Sequence, residues 1–129
     1  MKIYVMGNIL VEKDSLPVLL LPSLKKEYKD IDFVEFDPSE DFVPENKTLT
    51  IIDTVLDIDK VILFHDINRI NVGRVYSLHD FDLGYNLKLM KKFHMLNTVN
   101  IIGVPSGINK KGAIQQIKEI ITSLSSGSE

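Results

Sequence analysis

The chain has 129 residues, no cysteine and three histidines. Disulfides, thiol nucleophiles, iron–sulfur ligation and cysteine-type zinc sites are therefore excluded together, and His, Asp and Glu remain as the strong metal ligands. Open α/β sheets gather their ligands outside the carboxyl ends of their strands, so polar residues that directly follow apolar, strand-like runs carry the most chemical interest. Four places qualify: Gly7, Asn8 and Asp14 after the first run, Asp37 after the second, Asp53 after the third, and Pro105 with Ser106 after the last. His79 ends a long loop-like stretch that begins at His65. Asp14, Asp53 and His79, separated by 39 and 26 residues, form a candidate constellation. Two carboxylates and one imidazole with coordination positions left open suit a divalent metal such as nickel, zinc or manganese. No local pair such as His-x-x-x-His pins the site, and the same residues also read as a helix-start aspartate, a turn former and an exposed loop histidine.

The elements that must position these residues follow from periodicity. Residues 2–6 are β-branched and aromatic and stop at Gly7 and Asn8, as a buried strand does before a tight turn. Leu16, Leu19, Leu20 and Leu24 recur at helical spacing, with Ser15 as the N-cap candidate and Pro17 acceptable in the first turn. Pro22 falls inside this pattern, so the helix is expected to kink or split there. Residues 31–36, 48–52, 60–64 and 99–104 read as further strands, the second of them, strand three, closing on Asp53. Only residues 54–59 separate the third strand from the fourth. A parallel crossover needs about a dozen residues, so these two are expected to be antiparallel neighbours. Helical stripes are expected over residues 82–96, through Leu83, Leu87, Met90 and His94, and again through Ile114, Ile117, Ile121 and Leu124. The expected fold is a three-layer α/β sandwich with a five-stranded, mostly parallel central sheet and one antiparallel strand. It forms a single domain over residues 1–124, with 125–129 as a polar tail.

The opening run, Gly7, Asn8, Leu10 and Asp14 within V-M-G-N-I-L-V-E-K-D, resembles the G-N-x-L-x-x-D motif, closed by a second acidic residue, of the hydrogenase maturation endopeptidases. These are nickel-dependent processing proteases of [NiFe] hydrogenases. L-T-I-I-D-T over residues 49–54 resembles the family's strand ending in aspartate, S-L-H at 77–79 its S-x-H segment before a helix, and N-I-I-G-V-P at 100–105 its last strand. The resemblance spans residues 2–124. It implies that Asp14, at the second acidic position, Asp53 and His79 bind the metal and act in catalysis. The implied reaction removes a C-terminal extension from a hydrogenase large-subunit precursor that already carries nickel, with zinc or cadmium as possible substitutes. The metal would polarise the scissile carbonyl and activate water. Lys13 stands at the first acidic position, Ser15 follows the motif where the family has glycine, and Asp37–Pro38–Ser39 replaces a D-G-G element. Asp37 is placed to orient water or contact substrate, or simply to form the turn before Pro38.

Composition narrows the alternatives. A hydrophobic content of 44% with 26% charged residues describes a folded domain, which excludes disorder of the whole chain. A net charge of −3 supplies no field for a polyphosphate, so no nucleic-acid partner is expected. No stretch approaches 18 apolar residues and the first apolar run is too short for a signal peptide, so no membrane partner and a cytoplasmic monomer are expected. A receiver-like phosphoacceptor domain with Asp53 as acceptor is the rival of similar size. It needs an acidic pair directly after strand one and a lysine before the proline after strand five, where this chain has Gly7–Asn8 and Val104. A catalytically inactive binding relative of the protease is the third reading, suggested by Lys13 and the altered strand-two loop. The acidic loop over residues 37–47, with Glu40, Asp41 and Glu45, would serve docking more than chemistry.

Overall fold

The computed structural model describes residues 1–6, 15–35, 48–55, 58–65 and 98–125. Five strands appear among them: β1 (Lys2–Val5), β2 (Asp32–Glu35), β3 (Thr48–Val55), β4 (Ile62–Phe64) and β5 (Thr98–Pro105). Two helices accompany them, α1 (Leu16–Glu27) and α2 (Lys110–Ser125). The strands form one mixed sheet in the order β2-β1-β3-β5-β4, parallel except for β4, which runs antiparallel to β5. This is the mostly parallel α/β sheet with one reversed strand that the sequence predicts. The helix expected over residues 82–96 lies outside the described residues.

One pairing differs from expectation. β4 has the predicted reversed direction, but its partner is β5, which lies between it and β3. Residue types explain the order. β3 and β5 are eight residues each, buried along nearly their whole length, and pair in parallel over eight positions from Thr48↔Thr98 to Val55↔Pro105. Strands apolar on both faces belong at the centre of a covered sheet. β4 has three residues, with Ile62 and Leu63 only half-buried, and fits an edge. Residues 56–61 have only to cross two strand spacings, about 10 Å, which six residues reach easily. The amide of Val61, at the entrance to β4, donates to Gln116 Oε1 at 2.7 Å and ties this edge to α2.

Alternation along the strands divides the core in two. Ile3 and Val5 of β1, Ile52 of β3, and Ile102 and Val104 of β5 face the helices. They pack with Leu20 and Leu24 of α1 and with Ala113, Ile117 and Ile121 of α2. The other sheet face carries Tyr4, Met6, Leu49, Ile51, Val99 and Ile101. Each fully buried aliphatic side chain contributes about 1.5–3 kcal/mol, so either cluster alone outweighs the ion pair of Lys118 with Glu27, at 3.3 Å and partly exposed.

The helices follow their sequence stripes with small adjustments. α1 runs unbroken from Leu16 to Glu27, so of the two outcomes expected at Pro22 the split does not occur. Pro22 is exposed and costs the helix one amide donor without entering the core. Ser15 takes the N-cap position without a side-chain capping bond, and its carbonyl accepts from Leu19 N–H at 3.1 Å. In α2, Ala113 takes the fully buried position next to half-buried Ile114, and the helix extends to Ser125, one residue into the expected tail.

Candidate active site

Asp53 is the one member of the predicted trio among the described residues. Asp14 and His79 lie outside them, as do Asn8 and Asp37. β3 does not close on Asp53, as expected from sequence, but continues to Val55 because β5 offers pairing partners as far as Pro105. Asp53 therefore projects from within a paired strand. It shares a face with Ile51 and Val55 on the side of the sheet opposite to α1 and α2.

Its carboxylate is buried, with 6% of the residue exposed. A buried carboxylate must be hydrogen-bonded or bound to a cation. Thr54 N–H donates to Asp53 Oδ1 at 2.8 Å, a local bond that orients the group through the adjacent peptide. Across the sheet, Met6 N–H donates to the Ile52 carbonyl at 2.9 Å and brings fully buried Met6 alongside Asp53. On the other side the partner of Asp53 is Gly103, whose own antiparallel partner is Ile62. The row on this face thus reads Met6, Asp53, Gly103, Ile62.

A second group of buried polar side chains sits nearby but on the helix-bearing face. Asn100 Nδ2 donates to Thr50 Oγ1 across paired positions of β5 and β3 at 3.3 Å. Asn100 Oδ1 and Thr54 Oγ1 are buried without a hydrogen-bond partner. Sequence reading missed this group, although a threonine and an asparagine inside otherwise apolar strands were visible signals. His65 follows β4 and its Nδ1 lies 2.9 Å from the Val99 carbonyl, near the beginning of β5 and away from the Asp53–Gly103 end. Among the described residues no three His, Asp or Glu side chains cluster as a metal centre. The donor chemistry at Asp53, a buried carboxylate on the sheet face away from both helices, fits one ligand of such a centre.

No protein-family model matches the chain, and no curated protein matches its sequence. Solved structures do match. The hydrogenase maturating endopeptidase HybD from E. coli superposes with a TM-score of 0.71 at 13% identity, covering 99% of this chain and 94% of its own. The [NiFe] hydrogenase maturation protease HybD from Thermococcus kodakarensis gives a TM-score of 0.65 at 20% identity, covering 96% and 99%. Over nearly its whole length, this chain has the fold of these two hydrogenase maturation proteases.

Proposed function

We propose that this protein is a hydrogenase maturation endopeptidase that removes a C-terminal extension from the nickel-loaded precursor of a [NiFe] hydrogenase large subunit. The observation that carries the reading is the buried Asp53 carboxylate on the third strand of a fold shared with two such proteases over 96–99% of the chain. Asp14, Asp53 and His79 are the proposed ligands of the nickel that the precursor brings, with zinc or cadmium as substitutes.

The division of labour follows from residue chemistry. Asp53, ionised, supplies an oxygen ligand, and the Thr54 amide at Oδ1 keeps it from rotating away. Asp14 supplies the second carboxylate, and His79 a neutral imidazole nitrogen. The bound metal contributes Lewis acidity toward the scissile carbonyl. Because the metal arrives in the substrate, recognition needs little peptide sequence, and a metal-free precursor is expected to be left uncut. The protein is expected to act as a monomer in the cytoplasm. No helix among the described residues is long and apolar enough to cross a membrane.

The receiver-like reading is disfavoured by topology. Doubly wound domains of that class order their strands 2-1-3-4-5 in parallel, whereas here β5 lies inside and a reversed β4 takes the edge. Incubation with nickel-loaded precursor, read by the mass of the product, tests the proposal. Loss of the C-terminal extension is the expected result. An unchanged mass would favour the inactive binding relative.

A further inference from the structure

The two helices carry five lysines, Lys25, Lys26, Lys110, Lys111 and Lys118, against two glutamates, Glu27 and Glu119, although the chain as a whole has a net charge of −3. The helix layer is therefore basic on an acidic protein. Between the helices lies a cleft of about 590 Å³, with Ser23 of α1 on one side and Lys110, Lys111, Ile114, Gln115 and Lys118 of α2 on the other. Lys111, Ile114, Gln115 and Lys118 recur at the spacing of one helix face, so the α2 wall runs for about 11 Å. An extended chain spans that length with three or four residues, at about 3.3 Å each. At one end Lys118 meets Glu27 at 3.3 Å. Lys110 and Lys111 at the other end are exposed, and among the described residues no acidic side chain pairs with either. Their place is unfavourable for the helix, because two cations and no acidic residue stand in a first turn where the helix dipole is positive. Nor do they serve as its cap, since Asn109 Oδ1 already accepts from Gly112 N–H at 2.7 Å. Apolar surface lies beside them. Ile114 is half-buried in the cleft, and Leu19, one turn before Ser23 on the same face of α1, is 38% exposed.

We propose that the cleft between α1 and α2 is a docking groove for an acidic segment of a partner protein, its carboxylates meeting Lys110 and Lys111 and its apolar side chains resting on Ile114 and Leu19. Charge complementarity selects this occupant, because a basic segment would be repelled by the lysine wall. The lysines line a concave cleft, which an extended chain can enter and a plane of lipid headgroups cannot. The groove lies on the opposite side of the sheet from Asp53, so the inference goes beyond the endopeptidase reading and does not rest on it.

The test is fluorescence polarisation of a labelled peptide of about six residues, alternating glutamate and leucine, titrated with the unaltered protein, with Lys110→Glu combined with Lys111→Glu, and with Ser23→Trp. The expected result is a Kd below about 1 mM at low salt. Charge reversal should weaken it at least about tenfold, and so should raising the salt from about 0.05 to 0.5 M. Glutamate suits a helix start, so the charge-reversed protein should melt at the same temperature or higher, which separates lost binding from lost folding. Ser23 is exposed, so tryptophan there leaves the core and every lysine in place but fills the cleft, and it too should weaken binding at least about tenfold. Unchanged binding in Ser23→Trp would mean diffuse attraction to surface lysines and overturns the groove. The proposal also falls if the unaltered protein does not bind the peptide at about 1 mM, or if a peptide with lysine in place of glutamate binds equally well. Binding to phosphatidylserine vesicles without binding to the peptide would assign the basic layer to a membrane surface and overturn it equally. A charge-reversed protein that no longer folds would show the two lysines to be structural, with the same consequence.

Discussion

Asp53 carries two separable properties, its charge and its bond to the following amide. Asparagine at this position retains an oxygen that can accept from Thr54 N–H but loses the charge. Asp53→Asn is therefore expected to melt within a few degrees of the unaltered protein while cleavage of nickel-loaded precursor falls by about a hundredfold. Cleavage at an undiminished rate would remove Asp53 from the site. The Thr50–Asn100 pair makes the opposite prediction, one of stability alone. Thr50→Val removes the acceptor of the Asn100 Nδ2 bond, while Asn100 Oδ1 already lacks a partner, and should cost about 1–3 kcal/mol. The 3.3 Å contact points to the lower end of that range. Combining it with Asn100→Leu removes both polar groups and should recover most of the loss, giving a non-additive cycle in denaturant unfolding. Strict additivity would show that the two side chains do not interact.

At the scale of elements, α1 tolerates Pro22 because the ring faces solvent and the helix is held by Leu16, Leu20, Leu21 and Leu24 on its buried side. Restoring the missing amide with Pro22→Ala should raise stability by about 1–3 kcal/mol, visible as a higher denaturant midpoint at unchanged slope. A lower midpoint would mean that the proline's restriction of the unfolded chain outweighs the missing bond. β4 shows the reverse economy. With three residues it is too short to specify its own register, and its anchor is the distant Gln116 side chain on the Val61 amide.

At the scale of the whole molecule, α1, β2 and α2 meet around Tyr28. Its ring lies 6.2 Å from that of Phe33, and Lys118 and Glu27 bridge the two helices beside it. Burial pushes the phenol pKa above its ordinary value of 10.0, helped by Glu27 and Asp30 and opposed by Lys118 and a hydrogen bond with Thr122. The folded protein thus holds the phenol proton more tightly than the unfolded chain does. The stabilisation is complete below pH 10.0 and is lost as pH rises through the folded value. Tyr28→Phe should therefore show a shallower alkaline decline in its denaturant midpoint between about pH 9 and 11 than the unaltered protein. Parallel curves would show that Tyr28 does not couple folding to alkaline pH.

Strand and helix identity were legible in the residues themselves, because side-chain periods of two and of about 3.6 are properties of a short window. The β-branched runs around Ile3, Ile51 and Ile101 and the stripe through Ile117, Ile121 and Leu124 gave elements that the structure reproduces to within a few residues. The reversed direction of β4 was legible as well, since a six-residue connection forbids a parallel crossover. Strand order was not. Whether β3 pairs with β4 or with β5 depends on which competing segment buries more apolar surface against it, and that contest involves residues fifty positions apart. The consequences at the site share this origin. Asp53 was visible as a chemically useful aspartate, but only the pairing with β5 carries the strand past it, sets Gly103 at its side and places Asn100 against Thr50. Those neighbours are fixed by register between distant strands, which no local pattern encodes.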